Sequence, residues 1–315
     1  MTKLDNTTYS AVRGFNYQPG YAKNGLDSWV DKFDPECIAK EMSWGKKHYP
    51  GINTLRVWLS FDAWLDDPEA MGKAFDTVID IGGRLGLKFI PTLFNGWHSI
   101  PDFGGVTVEQ VGFAKRLGMF EPYLERIVGK HANDDRILLW DLCNEPFNSA
   151  SEGSNRTVML DWLTECYHSC KSLGAVAPVA VGATPAIEHL AWLEPISDVI
   201  TFHPYYAWNE WMTERSMFED FLEECVRFGN QQGKPMIATE TCWGSLDDAQ
   251  RADNMAFELG ALAKRGIGFT AHLMCHSKVA DANRRWMGDF KGAGYMAFIE
   301  ADGSMRAGHE VFNKI

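Results

Sequence analysis

The sequence has no C-x-x-C pair, although it holds seven cysteines, an odd number. Cys166 and Cys170 are four apart on an expected helix, a poor disulfide geometry and an incomplete metal site. Reduced, buried thiols fit best, and with them a reducing compartment. No apolar run approaches the roughly 18 residues of a membrane span, so no membrane partner is expected. The opening stretch MTKLDNTTYSAVRGF lacks an apolar signal-peptide core, and the expected location is the cytoplasm. Basic residues are in deficit, 30 against 42 acidic, for a net charge of −12. That balance argues against nucleic acid and anionic membranes, which need a basic face. No G-x-G-x-x-G follows the first apolar segment, which weakens a dinucleotide site, and no H-E-x-x-H occurs. With no linker or low-complexity run, residues 1–315 are expected to form one domain.

What is present is an alternation. Eight short apolar segments recur: Val12–Tyr17, Thr54–Trp58, Lys88–Phe94, Ile137–Asn144, Pro178–Thr184, Val199–Tyr205, Pro235–Thr241 and Phe269–His276. Each reads as a strand buried on both faces, as parallel strands are. Helical spacing fills the gaps at 35–49, 70–86, 159–174, 217–233 and 246–266, and several of these stretches close on glycine. Alternating helix and strand implies a parallel sheet, and eight units in 315 residues favour an α/β fold of the (β/α)8 TIM-barrel type.

In such a barrel the chemistry lies where strands end at the C-terminal face. Those ends carry Asn16 and Tyr17, then Arg56 and Trp58, then Asn95, Trp97 and His98. The later strands contribute Asn144 and Glu145, His203 and Tyr205, Glu240 and Trp243, and His272 and His276. The fifth strand ends near Thr184 with nothing ionisable. Two carboxylates stand out, Glu145 on the fourth strand and Glu240 on the seventh, across the mouth from one another. A facing pair of carboxylates is what glycoside hydrolysis uses. The two need opposite protonation states, so cationic or hydrogen-bonding neighbours must keep one ionised; Arg56 and Tyr205 are the candidates. Asp141 reads as a satisfied buried acid. Tryptophan is a costly core residue, because its large ring carries an N–H that needs a partner, so some of the twelve are expected to line a site. Trp58, Trp64, Trp97, Trp208, Trp211 and Trp286 follow strands and are candidates to stack on sugar faces, whereas Trp29, Trp44, Trp140, Trp162 and Trp192 read as packing.

These residues carry a resemblance. WDLCNEP resembles the Asn-Glu-Pro motif of the clan A retaining glycoside hydrolases, closest to family five, the cellulase and mannanase-like group. TLRVW, FNGWH, FHPYY and IATETCWG resemble the family's second-, third-, sixth- and seventh-strand motifs in the expected order, and FIEADGSMRAGHEVFN resembles its closing turn and last helix. The resemblance implies that Glu145 is the acid/base and Glu240 the nucleophile. It places Asn144 on the sugar 2-hydroxyl, Tyr205 and Arg56 on Glu240, His203 near Glu145, and His98 near the nonreducing sugar. The eighth strand departs from the pattern. It reads GFTAHLMCHS where the family carries a platform Trp, and Trp243, Trp286 and Trp208 are the candidates to replace it.

The expected activity is a retaining β-glycosidase acting on small glycosides or short oligosaccharides, with a carbohydrate as partner and no cofactor or metal. The alternatives are a transglycosylase of the same fold, a metal-dependent barrel hydrolase using His98, His203, His272 and His276, and a non-catalytic carbohydrate-binding barrel.

Overall fold

The computed structural model describes residues 8–96, 106–148, 153–207, 212–279 and 295–315. Among them eight strands run in parallel: β1 (Arg13–Tyr17), β2 (Thr54–Trp58), β3 (Lys88–Asn95), β4 (Trp140–Asn144), β5 (Val179–Gly182), β6 (Ile200–Phe202), β7 (Met236–Thr241) and β8 (Gly268–Ala271). Their order in the sheet is β5-β4-β3-β2-β1-β8-β7-β6. A parallel bridge between Ala183 and Phe202 joins the two ends and closes the ring. The fold is the (β/α)8 barrel that the alternation implies.

The helices begin and end where local chemistry stops them. Asp34 caps α1 (Pro35–His48) by accepting from the Glu36 and Cys37 amides, and Lys46, Lys47 and His48 fill its last turn. Asp67 and Pro68 start a helix over Pro68–Arg84 in the same way. A helix over Arg215–Gln232 ends on Gly233 at φ 65°, a left-handed cap that glycine adopts without strain. Among the described residues, four short α-helices lie outside the sequence expectations: Phe61–Asp66, Val108–Arg116, Phe120–Leu124 and Ile187–Leu193.

Along β2 the alternation decides which residues build the scaffold and which the site. Leu55 and Val57 join the main apolar core with helix residues such as Phe75 and Val78. Arg56, between them, faces the barrel axis. A separate cluster of Ile90, Leu139, Ala180, Val199 and Ile237 is closed by Tyr9 and Val12 from the segment before β1. It forms an apolar plug in the barrel, and the polar residues gather elsewhere along the axis.

Two sequence expectations are corrected here. Strand eight stops at Ala271 rather than running to His276, because the chain veers off and Cys275 bridges to Ile299. Trp64 packs in the core 5.5 Å from the Tyr123 ring and does not face the mouth. The closing segment makes the expected turn at Gly303 and leads into a 3-10 helix, His309–Lys314.

Candidate active site

Arg56 is the hub. It is fully buried, and burial alone would lower its pKa; Asp141 and Glu240 beside it raise it instead. Nη1 donates to Glu240 Oε2 at 2.7 Å and to Asn16 Oδ1 at 3.0 Å. Nη2 donates to Asp141 Oδ2 and to Asn144 Oδ1, both at 2.8 Å, and Nε reaches Asp141 Oδ2 at 3.1 Å. Asp141 also accepts from Thr92 Oγ1 at 3.0 Å and from the Gly182 amide at 2.9 Å. A buried charge needs such partners, because leaving one unpaired costs several kcal/mol. Asp141 is thus the satisfied acid the sequence suggested, and it also steers the guanidinium toward the mouth.

The two carboxylate strands share a device. The β4–β5 register shifts between Asp141 and Asn144, and the β7–β8 register shifts between Ala238 and Thr241. Such bulges re-aim side chains at barrel rims. Each strand then exits through a non-glycine residue with positive φ, Glu145 at 46° and Cys242 at 71°. That backbone is costly for a side-chain-bearing residue, and it concentrates at functional sites. Gly96 and Gly182 make room for the loop: a Cβ on Gly96 would lie 2.5 Å from Pro146 Cα, and one on Gly182 3.0 Å from His203 Nε2.

The result is a close pair. An oxygen of Glu145, an oxygen of Glu240 and a ring nitrogen of His203 lie within 4.8 Å of one another. Two full charges at that separation would repel by roughly 3 kcal/mol at an effective dielectric near 20. The cationic and donor groups are concentrated on Glu240. Arg56 holds Oε2, while Tyr205 donates its hydroxyl to Oε1. Burial pushes the Glu240 pKa up, but His272, His203 and Arg56 outweigh it and hold the carboxyl well below the usual range. The Tyr205 hydroxyl is driven well above its ordinary value by burial and by Glu240, so it stays a donor. Glu145 has a different setting. His203 Nδ1 lies 2.7 Å from its Oε1, and Asn148 Nδ2 donates to its Oε2. The second His203 nitrogen lies 3.2 Å from Thr239 Oγ1, which fixes the ring.

The other sequence candidates divide. Asn144 faces the mouth, with Nδ2 donating to Asn95 Oδ1 at 3.0 Å. Trp58 lies with its ring 4.8 Å from the Arg56 guanidinium, and its carbonyl accepts from Trp29 Nε1 at 2.9 Å. Trp243 packs edge-on against Tyr205 with centroids 5.3 Å apart, so it backs the tyrosine. His98, Trp97, Trp208, Trp211 and Trp286 lie outside the described residues. Of the described histidines in the metal-site alternative, His203 sits on Glu145 and His276 Nδ1 lies 2.8 Å from the Tyr295 hydroxyl. Asn148 was missed in the sequence; its signal was only its place three residues after Glu145. Asn95 was noted as a strand end but given no role.

A cleft of about 830 Å³, open solvent included, flanks the pair. It contains neither carboxylate. It meets the site at Trp58 and Asn95 and runs outward past Tyr17, Phe61, Asp62 and Asn24.

The profile of the family described as Cellulase (glycosyl hydrolase family 5) matches residues 6–278. A probable mannan endo-1,4-β-mannosidase C of Aspergillus terreus is 20% identical over 288 residues, 80% of this chain and 69% of that one. The mannan endo-1,4-β-mannosidase A of Podospora anserina is 29% identical over 153 residues, 39% of each chain, so the match spans under half of that relative's length. Among solved structures, an exo-β-1,4-mannosidase from Opitutaceae bacterium strain TAV5 superposes with a TM-score of 0.74 at 18% identity, over 96% of this chain and 58% of that one. A GH5_18 protein of Streptomyces cattleya in complex with GlcNAc gives 0.73 at 16% identity, over 98% and 80%. At these identities the structural likeness shows the fold.

Proposed function

The chain belongs to the cellulase family, glycosyl hydrolase family 5, a family of retaining glycoside hydrolases, and we propose that it cleaves β-linked glycosides or short oligosaccharides with Glu240 as nucleophile and Glu145 as acid and base. The observation that carries this assignment is the spacing of the pair, with carboxylate oxygens within 4.8 Å. Retaining enzymes hold the two groups about 5–5.5 Å apart, whereas inverting ones leave about 6.5–9.5 Å for a water.

In the first step a Glu240 oxygen bonds to the anomeric carbon as the bond to the leaving oxygen breaks. Glu145 gives that oxygen its proton. In the second step water adds to the same carbon and passes a proton to Glu145. The ester bond breaks, and its electron pair returns to Glu240. Arg56 and Tyr205 orient the nucleophile through opposite oxygens, which supplies the near-attack geometry. Asn144 is held by Arg56 and Asn95, and among the described residues it keeps a proton and a lone pair with which to meet the sugar 2-hydroxyl.

The names of the relatives favour a β-mannoside as substrate. A panel of aryl β-glycosides, followed by NMR of the first-formed sugar, tests the assignment. The expected result is cleavage of the β-mannoside ahead of the other sugars, with the β-anomer appearing first. An α-anomer appearing first, or no turnover across the panel, contradicts it. Glu240→Ala should remove turnover of every substrate. Glu145→Ala should cost about 10²–10⁴-fold with a poor leaving group. With dinitrophenolate, which needs no proton to depart, it should leave the first step nearly intact.

A further inference from the structure

The end of β8 supplies a residue that the family pattern does not place there. Just past Ala271, His272 is buried, with its amide donating to the Thr241 carbonyl at 2.8 Å. Its own carbonyl accepts from Arg251 Nη2 at 2.8 Å, so the backbone is fixed on both sides. The ring lies against Trp58, with centroids 5.4 Å apart and planes tilted by 49°. Nδ1 is 3.5 Å from Glu240 Oε1 and 3.3 Å from the Tyr205 hydroxyl. Nε2 is buried and has no hydrogen-bond partner among the described residues.

This is a poor arrangement for a packing residue. A buried imidazole with an unsatisfied nitrogen costs stability, and an apolar ring would fill the space without that cost. What the histidine adds is Nδ1, directed at the oxygen of Glu240 that Arg56 does not hold. The 3.5 Å separation is longer than a hydrogen bond, but contacts of this kind are often long in the free enzyme and tighten around substrate. With the ring in place, Glu240 is approached by Arg56 from β2, Tyr205 beyond β6 and His272 beyond β8.

We propose that His272 is a positioning residue for Glu240, whose Nδ1–H steers Oε1 into line for attack and whose ring forms, with Trp58, the wall that the eighth-strand Trp would otherwise supply. The inference rests on Glu240 being the nucleophile. The other ionisable groups facing that carboxylate are Arg56, Tyr205, His203 and Glu145. Arg56 and Tyr205 have raised pKa values, so neither changes charge across the acid limb of a pH profile. An Nδ1–H directed at Oε1 favours the charged carboxylate, so removing His272 should move that limb to higher pH.

The test is the rate at which a dinitrophenyl 2-deoxy-2-fluoro-β-glycoside forms a covalent adduct, read by mass spectrometry for wild type, His272→Phe, His272→Gln and His272→Asn. Phe keeps a ring without a donor. Gln places its amide near Nε2, and Asn places its amide near Nδ1. The Phe and Gln variants should label about 10- to 100-fold more slowly, with half-saturation changed by less than about threefold and the acid limb moved up. Asn should recover most of the rate. Labelling of the Phe variant at the wild-type rate with an unmoved limb overturns the proposal, as does an Asn variant as slow as Phe. If the Phe variant does not fold, the Gln variant decides. Failure of all three to fold makes His272 structural and also overturns it. A wild-type adduct absent from Glu240 instead removes the nucleophile assignment and this inference with it, so the two failures are distinguishable.

Discussion

Arg56 carries one positive charge between two buried carboxylates, Asp141 and Glu240. Replacing it with methionine takes from both acids, in a low-dielectric interior, the guanidinium that pairs them. Arg56→Met should therefore cost about 3–5 kcal/mol of folding free energy, measured by urea unfolding, as well as activity. Arg56→Lys should lose less stability. One ammonium cannot serve Asn16, Asp141, Asn144 and Glu240 together, so its turnover should still fall. The Glu240 carboxyl makes a pH prediction. Its folded pKa is held below the unfolded value, so the stabilisation it contributes is fully present above that unfolded value, near 4.3. It is lost as pH falls through the folded value. The unfolding free energy of wild type minus that of Glu240→Gln should be flat at neutral pH and shrink below about pH 4. A difference that grows on acidification would contradict the assigned environment.

Strands β4 and β7 are each built to present a carboxylate, and glycine clears the space behind one of them. A Cβ at residue 182 would press on His203 Nε2 at 3.0 Å and on Asp141 Oδ2 at 3.2 Å. Gly182→Ala should destabilise the fold by about 1–3 kcal/mol and slow turnover through a displaced His203; wild-type kinetics would show that the strand has slack there. Much of this scale was legible in the sequence. The eight apolar runs fall on the eight strands, because a strand covered on both faces has to be apolar along its length. The ends of β2, β4 and β7 were readable because Arg56, Glu145 and Glu240 interrupt such runs with charge. The bulges and positive-φ exits were not, since the pattern of side chains does not encode a local register shift. The end of β8 misled because HLMCH continues an apolar strand in composition while the backbone turns away toward Ile299. His272 was therefore seen as a strand-end histidine and not as a neighbour of Glu240. That proximity depends on Thr241 and Arg251 fixing its backbone from elsewhere in the chain.

At the scale of the whole molecule, the barrel brings residues 95 positions apart in sequence, Glu145 and Glu240, within reach of one sugar ring. Closure of the sheet between β5 and β6 makes that possible, because it fixes β4 and β7 on opposite sides of one mouth. The proposed reaction follows from that geometry: a charged, restrained Glu240 on one side and Glu145 on the other. The most direct measurement is the site of covalent capture. A 2-deoxy-2-fluoro-β-glycoside slows release of the glycosyl-enzyme, and peptide mapping of the trapped protein locates the ester. The expected site is Glu240, in the peptide that carries IATETCWG. An ester on Glu145, or continued hydrolysis with no adduct anywhere, would contradict the account.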